Sequence, residues 1–156
     1  MLHIDFVCTG NICRSPMAEV IVRSALDNEN LADKVRVTSS GIGGWHVGNQ
    51  ADSRALQELN DHGYDGSAHR AFQFGGDRLD ADLIVALDNN HVSELIAQGV
   101  PQEKVRLLRS FDPAAGERAG VADPYYGGPE GFTTTRVQIE SAAPGIVEWV
   151  RQHLDE

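Results

Sequence analysis

A short apolar run, Leu2 to Val7, breaks off into Cys8-Thr9-Gly10-Asn11-Ile12-Cys13-Arg14-Ser15-Pro16, and a helical pattern starts at once. Leu2, Ile4, Phe6 and Val7 have the β-branched and aromatic character of a strand. Met17, Val20, Ile21 and Ala25 then recur at helical spacing. Ser15 reads as the N-cap and Pro16 as the first helical residue. A strand that feeds a helix through so tight a loop opens a βαβ unit. The loop turns successive backbone N–H groups inward above a helix N-terminus, a geometry that receives an anion.

The rest of the chain repeats the alternation. A helix is expected from Pro16 to Asn28, a strand at Val35–Ser39, a glycine-rich loop from Ser40 to Gly48, and a short helix from Ser53 to His62 closed by Gly63. Asp82–Leu87 is a continuous apolar run suited to a strand buried on both faces. Asp88 reads as the cap of a helix from Asn89 to Gln98, and Val105–Leu108 as a fourth strand. A Gly- and Pro-rich loop from Ser110 to Gly131 precedes a last helix, Phe132 to His153, which Pro144 should kink or split. Strands alternating with helices imply one α/β domain, a parallel sheet with right-handed crossovers, and a site at the strands' carboxyl ends. Trp45 and Asp123 then fall on the same edge as Cys8.

The side chains of the first loop fit an oxyanion. Loop dipoles, the helix N-terminus and Arg14 all favour a thiolate at Cys8, so its pKa should fall. Arg14 can grip two oxygens of a bound oxyanion with its planar fork, and Ser15 can donate to the sulfur. Gly10 and Asn11 tolerate the positive φ that such a cradle needs. A thiolate facing phosphorus needs an acid for the leaving group and then a base for water, and Asp123 is the best placed carboxyl. An Asp before Pro is also a common turn residue. Trp45, Tyr125 and Tyr126 can wall a slot for a flat aryl phosphate; singly, each is as readily a packing residue. His69 can bond Asn11 or Ser39 and hold the loop. His46 is expected to be exposed.

Composition narrows the partners. The chain has 156 residues, 23% charged, with a formal net charge of −10, which argues against nucleic acid. No apolar run approaches membrane-spanning length, so no membrane partner is expected. No signal peptide is recognisable, which favours the cytoplasm and leaves signal-free export open. Two cysteines, Cys8 and Cys13, make neither a disulfide framework nor, without a His pair beside them, a zinc site.

Val7 to Glu19, read as VCTGNICRSPMAE, together with Asp123-Pro124-Tyr125-Tyr126-Gly127, resembles the low-molecular-weight protein tyrosine phosphatases; Trp45-His46-Val47-Gly48 is most similar to the bacterial members. The resemblance spans nearly the whole chain. It implies a single domain over residues 1–156, flavodoxin-like, with a four-stranded parallel sheet in the order 2-1-3-4 and helices on both faces. It implies Cys8 as nucleophile, Arg14 as phosphate ligand, Asp123 as general acid then base, and Thr9, Gly10, Asn11, Ile12, Cys13, Arg14 and Ser15 as the phosphate-binding loop. Asn11, Ser15, Ser39 and His69 would support that loop, and Trp45, Tyr125 and Tyr126 would line the slot. Cys13 matches a second loop cysteine able to form a reversible disulfide with the nucleophile. No metal or other cofactor is implied; the partners would be phosphotyrosine-containing proteins, and the chain is expected to be a monomer. Phe72 departs from the small or basic residue of many members, which removes the expectation of a local salt bridge. Gly43-Gly44 makes the Trp45 loop more mobile than in some relatives. Two other readings use the same loop: an arsenate reductase, for which the chain lacks relay cysteines, and a phosphocysteine carrier or phosphotyrosine-binding module.

Overall fold

Side-chain alternation along the first strand, β1 (Leu2–Cys8), decides what packs on each face of the sheet. Ile4, Phe6 and Cys8 join one apolar cluster, and Val7 joins another. The computed structural model describes residues 1–116 and 119–154. In chain order β1 is followed by α1 (Arg14–Asn28), β2 (Val35–Gly41), α2 (Ser53–Asp61), β3 (Leu83–Ala86), α3 (Asn89–Ala97), β4 (Val105–Leu107) and α4 (Pro129–His153). The larger cluster unites Ile4, Phe6, Leu83 and Val85 with Met17 and Leu26 of α1, Leu59 of α2 and Ile139 and Val150 of α4. The smaller one sets Val7, Ile84 and Ala86 against Leu95 of α3.

All four strands are parallel, in the order β2-β1-β3-β4, with Cys8 opposite Gly41 and Val7 opposite Ala86. The chain leaves β1 for one side and crosses back to the other, so the strand order reverses beside the end of β1. That reversal opens a crevice at the carboxyl edge. The expected fold is the observed one.

Several boundaries differ from expectation for physical reasons. Helix α1 starts at Arg14, not Pro16, and its N-cap is Cys13 without a side-chain cap bond. Ser15 is therefore not the cap, and its hydroxyl serves Cys8 instead. Strand β2 runs on through Ser40 and Gly41, because Gly41 N–H and carbonyl are taken up by Phe72 and Phe74. Asp88 is the N-cap of α3 as expected. Pro144 does not split α4, which runs unbroken for 25 residues. Pro129 occupies its first turn, where the missing N–H costs nothing. Among the described residues no helix is long and apolar enough to cross a membrane.

Candidate active site

The loop from Cys8 to Arg14 is held from outside by its carbonyls. Cys8 carbonyl accepts from Ile42 N–H at 2.9 Å, Thr9 from Gly43 at 2.9 Å and Ile12 from Asp52 at 2.8 Å. His69 Nε2 donates to the Asn11 carbonyl at 2.8 Å. The N–H groups of Gly10, Asn11, Ile12 and Cys13, by contrast, have no acceptor among the described residues. Asn11 and Cys13 are buried and Gly10 and Ile12 half-buried, and a row of unused donors at an uncapped helix N-terminus is the signature of an anion site. Gly41 lets β2 pass beneath: a Cβ there would lie 2.9 Å from the Gly10 carbonyl carbon.

Asn11 is the hub. It holds φ at 60°, the left-handed conformation that its residue type tolerates; Gly10 does not adopt one. Its Nδ2 donates to Ser15 Oγ at 2.8 Å and Ser39 Oγ at 2.9 Å, and its Oδ1 accepts Phe72 N–H at 2.9 Å. Ser39 passes its hydrogen to Glu19 Oε1 at 2.6 Å. Burial lowers the pKa of His69, with its Nδ1 at 4.0 Å from Glu19. The four expected supports, Asn11, Ser15, Ser39 and His69, are thus one network, to which Glu19 is an addition.

Cys8 is buried at the end of β1, with Sγ 2.9 Å from Ser15 Oγ. Once Cys8 is a thiolate it can only accept, so the hydroxyl donates. Arg14 Nη1 donates to the Val121 carbonyl at 2.9 Å, and Nη2 to Thr9 Oγ1 at 3.3 Å. Two carboxylates face this buried guanidinium: Asp123 Oδ2 at 3.6 Å and Asp88 Oδ2 at 3.8 Å. Asp123 lines the cavity and also closes a turn, its Oδ1 accepting Tyr125 N–H at 3.0 Å. Cys13 is also buried. Burial first, then the charges of Asp52, Cys8 and Asp123, push its thiol pKa far up. Both cysteines are free thiols.

A cavity of about 340 Å³ joins these groups: Cys8, Thr9, Gly10, Ile12, Cys13, Arg14 and Asp123 on its floor and sides, and Trp45, Tyr125 and Tyr126 at its rim. Trp45 is 73% exposed and Tyr126 90%, so neither is a core residue. The Tyr125 and Tyr126 rings meet edge to face at 5.0 Å. His46 is a correction to the expected exposure: it is half-buried against Gly10 and lines the cavity. Phe72 forms no ion pair, but the Arg78 guanidinium lies 4.0 Å over its ring.

The sequence reading missed three contributors. His91, at the third position of α3, bonds Thr9. Glu19 bonds Ser39 from the second turn of α1. Asp52 ties the N-terminus of α2 to Ile12, and its partner Arg54 reaches over the Tyr125 ring at 5.4 Å. Only Glu19 carried a local signal, the end of the quoted motif.

Residues 3–156 match the family model described as low molecular weight phosphotyrosine protein phosphatase. The low molecular weight protein-tyrosine phosphatase A of Mycobacterium tuberculosis is 53% identical over 154 residues, 98% of this chain and 94% of that protein. The low molecular weight protein-tyrosine-phosphatase of Streptomyces coelicolor is 47% identical over 159 residues, 98% and 96% of the two chains. Among solved structures, a protein tyrosine phosphatase of Entamoeba histolytica superposes with a TM-score of 0.91 at 30% identity, covering 97% of this chain and 98% of its own.

Proposed function

The chain belongs to the low molecular weight phosphotyrosine protein phosphatase family, and on that premise we propose that it hydrolyses phosphotyrosine in proteins, and small aryl phosphates, through a cysteinyl-phosphate. The observation that carries the reading is the row of unused N–H donors between Cys8 and Arg14, with Asp123 facing it. The dianion settles on those donors and on the Arg14 fork. Cys8 Sγ attacks phosphorus in line, and the phenolate oxygen leaves with the proton of Asp123. Ser15 supports the sulfur as a thiolate before attack and again as it leaves phosphorus. Asp123, now a carboxylate, takes a proton from the water that attacks the thiophosphate, and inorganic phosphate departs.

Trp45, Tyr125 and Tyr126 favour an aryl ester. The rim holds a ring against apolar surface while its phosphate reaches the floor, a distance that a phosphoserine side chain does not span. Cys13 is a reserve thiol for an oxidised Cys8, its high pKa keeping it from competing as a nucleophile. Every group invoked comes from one chain, so the reading requires only a monomer.

The test is turnover of an aryl phosphate in the presence of a chelator. Wild type is expected to turn over, and Cys8→Ser to lose turnover while keeping its melting temperature. Asp123→Ala should fall by roughly 10²–10⁴-fold with a phenol of high pKa and far less with nitrophenol. Retained activity in Cys8→Ser would end the reading, and equal cleavage of phosphoserine and phosphotyrosine peptides would end its substrate half.

A further inference from the structure

Three hydrogen bonds fix the direction of one proton beside the cradle. His91 is only 1% exposed and sits in the capping box of α3. Its Nδ1 accepts the Asp88 backbone N–H at 3.1 Å. A ring nitrogen that accepts carries no hydrogen, so the neutral ring is protonated on Nε2. Nε2 lies 2.9 Å from Thr9 Oγ1, so the ring donates and the hydroxyl accepts. Arg14 Nη2 donates to the same oxygen at 3.3 Å. A hydroxyl has two lone pairs and one hydrogen. Both lone pairs are engaged, and the hydrogen has no acceptor among the described residues. Thr9 lines the cavity beside Cys8 and Arg14.

We infer that His91 is a positioning residue that turns the Thr9 hydroxyl hydrogen into the anion cradle, giving the bound oxyanion a side-chain donor beyond the backbone donors of the loop. The inference rests on the phosphatase reading above. It also explains a His where a capping box ordinarily has Glu or Gln. A glutamate would satisfy the Asp88 N–H but present an acceptor to Thr9, drawing its hydrogen away from the cradle. A neutral imidazole accepts at one end and donates at the other. Burial, with Arg14 nearby, holds its pKa down to about 4, so the polarity does not change near neutral pH.

The experiment compares aryl-phosphate turnover and competitive inhibition by inorganic phosphate in wild type and variants. Thr9→Val keeps the shape and removes the hydrogen; it should lower kcat/KM, and weaken phosphate inhibition, by about tenfold, the scale of one hydrogen bond to a charged group. Thr9→Ser should recover most of that loss. His91→Ala should cost roughly three- to tenfold, His91→Gln should recover most of it, and neither should matter once Thr9 is Val. A purely structural role for His91 would act equally in both backgrounds. That result, or a Thr9→Val enzyme equal to wild type in both readouts, overturns the inference. A wild type that turns over no aryl phosphate overturns the phosphatase reading itself.

Discussion

Asn11 shows how much of the site one residue can carry. Its left-handed backbone turns the loop, its amide joins Ser15, Ser39 and Phe72, and its carbonyl receives His69. Asn11→Ala removes the side-chain bonds and leaves at φ 60° a residue that tolerates the left-handed conformation less well than asparagine. The strain costs on the order of 1 kcal/mol and an orphaned buried donor about 1–3 more. The expected loss of about 2–4 kcal/mol should lower the melting temperature by roughly 5–15 °C and abolish most turnover. Asn11→Gly loses the same bonds without the strain, so it should melt above Asn11→Ala. Equal melting of the two would show that the loop does not impose this φ. Calorimetry on both variants decides it.

Helix α4 presents the same kind of constraint at the scale of an element. It passes the 3₁₀ turn Leu108–Phe111 so closely that a Cβ on Gly145 would lie well within van der Waals radii of the Phe111 carbonyl oxygen. Alanine inside a helix ordinarily stabilises it by about 1 kcal/mol over glycine. Here overpacking should win, and Gly145→Ala is expected to destabilise by about 1–3 kcal/mol in denaturant melts. A gain in stability would mean that the turn yields freely. Elements of this kind also mark what the sequence made legible. The eight regular elements followed from apolar periodicity and from Gly63 and Asp88 as stops and starts, because those signals are local. Cys8, Arg14 and Asp123 followed from the chemistry of a strand-to-helix loop and from strand order. The start of α1 did not, because Ser15 and Pro16 imitate a cap while the loop leaves the true N-terminus open for an anion. His91 and Glu19 did not either, since each acts on a residue distant in sequence or across an element boundary. Pro144 does not split α4 for a related reason: a helix that packs on the core along its length can tolerate one missing hydrogen bond.

For the whole molecule, two buried groups on the α3 side of the sheet set opposing demands on protons. Asp5, fully buried in β1, accepts from Thr38 Oγ1 at 2.7 Å and Ser40 Oγ at 2.8 Å, with Arg78 Nε at 3.8 Å. Burial outweighs those partners and raises its pKa from 3.8 to about 7. His91 is lowered from 6.5 to about 4. Below 6.5 the unfolded chain protonates His91 while the folded chain does not, so stability from His91 is present above 6.5 and lost as pH falls toward 4. Asp5 works the other way: the folded chain keeps a proton that the unfolded chain has released, so stability falls as pH rises from 3.8 toward 7. Each slope is about 1.4 kcal/mol per pH unit, and the signs are opposite. The two oppose each other across most of the acid range, and His3 and His69, both lowered by burial, add to the rise with pH. Asp5→Asn removes one side of the balance. Relative to wild type, its unfolding free energy should climb by roughly 3 kcal/mol between about pH 4.5 and 6.5, read from urea midpoints at each pH. Parallel curves for the two proteins would mean that Asp5 ionises in the folded state as it does in the unfolded chain, and that burial on this face of the sheet is not what sets its proton.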